Sequence, residues 1–209
     1  MLDFESIRKN SIGEARFLGY PTNPDLPLLA DVSARPVEDI VDRSLAMSAA
    51  VSAGFGFEKR LALEWLEREN LMSFVAQSEL DFLRSDDADP SSLLQCQVEG
   101  LNAFAWALSF VDEMPFYLFC PDDLVKHFPD FNDMESSERF RGAAKLRPME
   151  DIVSTLDAAY CIHWSWAEQD VHQRDLPDTD MEPYMIVERR RALEWILSGE
   201  DWDNVSLDT

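Results

Sequence analysis

Between Tyr160 and His172 the chain reads YCIHWSWAEQDVH, which gathers Cys161, His163, Asp170 and His172 into one short stretch. Thiolate and imidazole are the ligands of a tetrahedral zinc site, and a histidine beside an acid is also a pairing used in general acid–base chemistry. The spacing speaks against the metal. On a helix, at about 100° per residue, Cys161 lies ~160° round from His163 and His172 ~180° round, so the three point apart. Cys161 and His172 share a face but are separated by ~16 Å of rise. No metal is expected through these residues. His163 falls instead at the centre of a stripe containing Met149, Ile152, Leu156, Ala159, Tyr160, Trp166 and Ala167, and so should face the core. A histidine in that position more often satisfies a hydrogen bond than performs chemistry.

The second chemical candidate is Arg189. It sits among Met185, Ile186, Ala192, Leu193 and Ile196 on one helical face, whereas Arg191 points to the opposite, exposed side. An arginine cannot shed its charge, so a buried one needs a carboxylate or an array of acceptors. By phase or proximity the candidate partners are Asp170, which shares the His163 stripe, and Asp203 and Asp208 in the C-terminal tail. The favoured reading is a buried ion pair that pins the tail DWDNVSLDT on the bundle. The alternative is an enzyme or small-ligand binder with an internal polar site around His163, Arg189 and one of those acids.

The elements that must position these side chains read as helices near 36–53, 57–69, 78–84, 90–112, 121–128, 148–172 and 183–198. Pro36, Pro90, Pro121, Pro148 and Pro183 each head an apolar pattern of helical period, and acids follow in PVEDI, PDDL and PMEDI, where they complement the helix dipole. Gly54 and Gly199 look like stops. No alternating pattern of useful length predicts a strand, although MPFYLFC at 114–120 could be briefly extended. The expected fold is all-α: a single-domain irregular helical bundle over 1–209, with 1–35 partly irregular and 200–209 packed back as a tail. Trp106 and Trp164 stand off the main apolar stripes of their helices, which places 90–112 and 148–172 at the centre.

A chain of 209 residues can bury about 70% of the surface its unfolded form exposes, so a core without staples is expected. Its 41 acids against 18 Lys and Arg give a formal net charge of −23. That charge should repel nucleic acid and anionic lipid and attract basic proteins. Acid-rich stretches such as PDFNDMESSE read as solvated loops. Cys96, Cys120 and Cys161 have no paired spacing, the N-terminus lacks the pattern of a signal peptide, and LNAFAWALSFV is too short to span a bilayer; a cytoplasmic protein without a membrane segment is expected. Phosphate-loop, dinucleotide, zinc-protease and nucleophile-elbow motifs are missing, and DLPDTDME lacks the glycine and terminal glutamate of a calcium loop, so no cofactor is expected.

Read from end to end, VDRSLAMSAAV, EWLEREN, VEGLNAFAWALSFVDEMP, LRPMEDIVSTLDAAYCIHW, VERRRALEWIL and DWDNVSLDT occur in an order that resembles the mostly bacterial family called domain of unknown function 4272. Cys161 and Ile162 depart from that pattern. The resemblance implies one helical domain and no mechanism. The functional expectation therefore rests on charge: a non-enzymatic interaction module that binds a basic partner, in the manner of an immunity protein or antitoxin inhibiting its target.

Overall fold

Proline sets several helix starts. Pro36 stands at the N-cap of one helix, Pro183 is the first residue of another, and the Pro148 carbonyl accepts the N–H groups of Asp151 and Ile152 at the head of the longest. In the first turn the N–H that proline lacks would have no intrahelical partner anyway. The computed structural model describes residues 2–30, 32–85, 91–172, 176–177 and 181–209, without the side chains of 91, 92 and 170–172; Pro90 lies outside them. Along the chain run α1 (Phe4–Phe17), α2 (Val37–Gly54), α3 (Lys59–Arg68), α4 (Gln77–Arg84), α5 (Ser91–Cys96), α6 (Val98–Ala107), α7 (Glu138–Ala143), α8 (Met149–His172) and α9 (Pro183–Leu197). Single 3-10 turns form at Met72–Phe74, Leu124–His127 and Trp202–Asn204. No strand occurs among the described residues, and the fold is all-α. None of the helices among them is long and apolar enough to cross a membrane.

Two expectations are corrected. The helix anticipated over 90–112 is interrupted at Gln97, whose N–H reaches back only to Leu94, and it ends at Leu108. There Ser109 takes a left-handed backbone, φ 63°, while the Ser109 and Phe110 N–H groups close on the carbonyls of Trp106 and Ala105. This cap is usually built on glycine, so a serine hides it. The segment 121–128 makes only the Leu124–His127 turn, because Pro129 holds the preceding Phe128 in extended backbone, ψ 167°. MPFYLFC forms turns without pairing as a strand.

The core has two apolar clusters, and α9 serves both. Ala192, Leu193, Trp195 and Ile196 join residues of α2, α3, α4 and α6, while Met185 and Ile186 join residues of α1 and α8. The helices expected at the centre, α6 and α8, each pack on α9. Apart from half-buried Val98, all of α6 is buried, with Phe104 set edge-on against Trp195 at 5.8 Å. Burial of a side chain that size contributes about 1.5–3 kcal/mol. α8 buries Cys161 and Trp164 as well as Ile152, Leu156 and Ala159, so more than one of its sides meets protein.

Three arginine–carboxylate pairs cross this core: Arg8–Asp157 ties α1 to α8, Arg43–Glu79 ties α2 to α4, and Arg189–Glu99 ties α9 to α6. All six residues are 4% exposed or less. Each pair is also hydrogen-bonded, which is the condition for a buried charge to be tolerated.

Candidate functional site

The last helix carries three consecutive arginines, each with a different task. Arg189 points inward, as its place on the apolar face requires, and is 1% exposed. Its Nε and Nη2 donate to Glu99 Oε2 at 2.8 and 2.6 Å, Nη1 donates to the Pro115 carbonyl at 2.8 Å, and Nη2 also donates to the Leu118 carbonyl at 2.6 Å. The partner is therefore Glu99 of α6, and the tail acids expected in that role are elsewhere. Asp203 is exposed and caps α4, accepting from the Gln77 N–H at 2.8 Å and the Ser78 hydroxyl at 2.7 Å. Asp208 meets Arg190 instead, accepting through its backbone carbonyl while its carboxylate charge acts on the same cation. The Asp170 side chain lies outside the described residues. Glu99 Oε1 accepts the Cys120 N–H at 3.0 Å, so the ion pair holds both ends of the 115–120 loop.

Arg190, which sequence phase did not single out, is 3% exposed and pins the tail. It donates to the carbonyls of Leu207 and Asp208 at 3.0 and 2.9 Å, and its guanidinium lies 4.6 Å from the centre of the Tyr160 ring. Its Nη1 also lies 2.8 Å from His163 Nδ1. A guanidinium only donates, so Nδ1 is the acceptor and the hydrogen of the neutral ring sits on Nε2. Burial, together with the neighbouring Arg190 cation, pushes the His163 pKa down to about 4. His163 is thus a neutral acceptor near pH 7, and it and Arg189 belong to separate networks.

Arg191 departs from its expected exposure. It is half-buried, 3.7 Å from Glu188 and with its guanidinium 6.0 Å from the centre of the Trp202 ring, because the tail folds over that face. Cys161 is buried beside the Arg8–Asp157 pair, and burial followed by the Asp157 charge raises its pKa to about 11. The side chain of His172 lies outside the described residues. Among those described, no group of three or more His, Cys, Asp or Glu is placed to hold a metal ion.

An open cleft lies apart from His163 and Arg190 and meets the Arg189–Glu99 network only at Cys120, whose N–H Glu99 accepts. It has a volume of about 930 Å³ and runs between the C-terminal end of α2, α6 and the 120–135 segment. Val51, Phe57, Leu101, Leu124, Phe128 and Phe131 give it apolar walls, and Phe55 and Val125, 62% and 66% exposed, stand among its lining residues. Its size is near the top of the ~300–1,000 Å³ usual for ligand clefts. Asp122, Asp130 and Glu135 also line it, with Lys126 and Arg139. Arg139 is committed to Glu135, at 2.7 Å, and this bond is the first reason that the Glu135 pKa falls to about 2. Lys126 lies 3.7 Å from Asp123. No cation among the described residues pairs with Asp122 or Asp130, so the edge keeps a negative surplus.

Cys120 closes one end of the cleft, where burial and then the Glu99 charge push its thiol up to about 12, far from a nucleophilic thiolate. Tyr117, Leu118 and Phe119, each about half exposed, precede it. Reading PDFNDMESSE as a solvated loop missed this site; the signal was Phe131 inside the acidic run and Phe128 just before it.

The fold and cleft define an all-α domain with an open apolar groove and an acidic edge. The chain belongs to the family described as Domain of unknown function (DUF4272), whose model matches residues 8–205. No curated protein and no solved structure matches it.

Proposed function

We propose that this protein is a non-enzymatic interaction module that binds a basic protein partner in the cytoplasm, at the acid-edged cleft. The observation that carries this reading is the combination of open apolar walls with an uncompensated acidic edge on a chain of net charge −23. Apolar walls supply affinity through burial, and the surrounding charge speeds encounter and selects the sign of the partner. Covering the surface of a basic protein is also the means by which immunity proteins and antitoxins inhibit. The alternative, a catalytic or ligand site built on His163 and Arg189, draws no support from the geometry, since both are engaged in internal hydrogen bonds.

The test is affinity capture on the native protein at low ionic strength, followed by elution along a salt gradient. The screening length is about 8 Å at physiological ionic strength and about 3 Å at 1 M. A partner of net positive charge that elutes as salt rises is expected. An acidic partner, or retention indifferent to salt, overturns the reading.

A further inference from the structure

Resting on the basic-partner reading, we infer that the segment seated in the cleft is an amphipathic helix of the partner, with an apolar face and cationic flanks. Three observations converge on that occupant. The first concerns main-chain hydrogen bonds. An extended peptide brings N–H and C=O groups that must be paired when buried, and it usually finds them on a sheet edge. The described residues form no strand. The apolar walls are phenylalanine, leucine and valine, which donate nothing; Ser48 already bonds the Leu45 carbonyl, and the other polar lining side chains, Ser52, Asn132 and the charged groups of the 122–139 stretch, form no ladder for an extended backbone. A helix satisfies its own backbone and needs only an apolar stripe at i, i+3, i+4 and i+7.

The second observation is charge. The charged lining residues are Asp122, Asp130 and Glu135 with Lys126 and Arg139; Arg139 is bonded to Glu135 and Lys126 lies near Asp123, so Asp122 and Asp130 are left without a cation among the described residues. Lysines or arginines flanking the apolar stripe would meet this edge, whereas a second copy of the chain would bring another −23 against it. The third is rigidity. Tyr117, Leu118 and Phe119 form an exposed apolar ledge leading into Cys120 and Pro121 at the cleft, and Arg189 with Glu99 fixes that loop at Pro115, Leu118 and Cys120. A ledge held in advance loses little conformational freedom when a partner docks.

The experiment uses two fluorescein-labelled peptides of the same composition and positive charge. In one, leucine and lysine alternate with the helical period; in the other they are shuffled so that no apolar face forms. Binding to the full chain is followed by anisotropy, and helix formation by the circular dichroism difference on mixing. The periodic peptide is expected to bind at least about tenfold more tightly than the shuffled one and to gain helicity. Phe55→Asp and Val125→Glu, both at exposed positions, should each weaken it about tenfold, while Phe17→Asp, on α1 outside the cleft, should not.

Equal, salt-sensitive binding of both peptides would overturn the helix while leaving the basic-partner reading standing. Absence of binding by either at low ionic strength would overturn both. A loss with Phe17→Asp equal to that with Phe55→Asp would move the site elsewhere. Sedimentation of the free protein as a dimer that Phe55→Asp dissociates would assign the cleft to a second copy.

Discussion

Removing Arg189 would strand the Glu99 carboxylate in a core where it is 1% exposed, and removing Glu99 would strand the guanidinium. Breaking one partner of such a pair costs about 3–5 kcal/mol, whereas replacing both with apolar groups of similar volume is often close to neutral. Arg189→Ala and Glu99→Ala are thus each expected to lower the urea midpoint strongly, with Arg189→Met/Glu99→Leu recovering most of the loss. Similar losses in the double and single variants would show that the loop contacts, not the stranded charge, dominate. His163 adds a pH dependence. Its folded pKa of about 4 lies below the ordinary 6.5, so between these values the unfolded chain binds more protons and stability falls as pH drops. The contribution is fully present above pH 6.5. Glutamine can keep an acceptor for Arg190 without titrating, so the stability of His163→Gln should decline less steeply from pH 6.5 to 4 than that of the parent, as read by denaturant unfolding at each pH.

At the scale of elements, the tail completes two others. α4 begins after Ala76, which has no side-chain cap to offer; Glu79 reaches back to the Ala76 N–H at 3.0 Å, and Asp203 supplies the acceptor for Gln77 and Ser78 from the far end of the chain. Trp202, 4% exposed, packs 6.0 Å from Phe104 with the Arg43 guanidinium 4.4 Å from its ring centre. Trp202→Ala should cost about 3–5 kcal/mol, the range for emptying a buried aromatic site, and Asp203→Ala about 1 kcal/mol, that of a lost N-cap. Thermal or urea unfolding ranks the two, and equal small effects would mean that the tail contributes little to the bundle. That the tail docks was legible from Trp202, Val205 and Leu207. Its anchoring by Arg190 was not, because helical phase shows only that Arg190 and Arg189 point about 100° apart.

Over the whole molecule, the same residue types divide between two uses. Buried arginines and acids cross-tie helices that are distant in sequence, while the remaining acids leave the exterior strongly negative and edge a cleft with apolar walls. α9 sits between the two apolar clusters, so its inward arginines reach both the loop at the end of the cleft and the tail. Interior and cleft are therefore coupled through contacts rather than through a shared polar pocket.

What the sequence by itself determined is local. Helical period, prolines that head helices, the inward direction of Arg189 and the net charge all depend on residues within a few turns of one another, or on composition alone. Only the tertiary structure decided which of 41 acids would meet Arg189, since Glu99 lies 90 positions away and every acid is chemically eligible. The cleft was hidden for a related reason. It is the space left where α2, α6 and the 120–135 segment fail to close on one another, and a gap between elements has no periodicity of its own to be read.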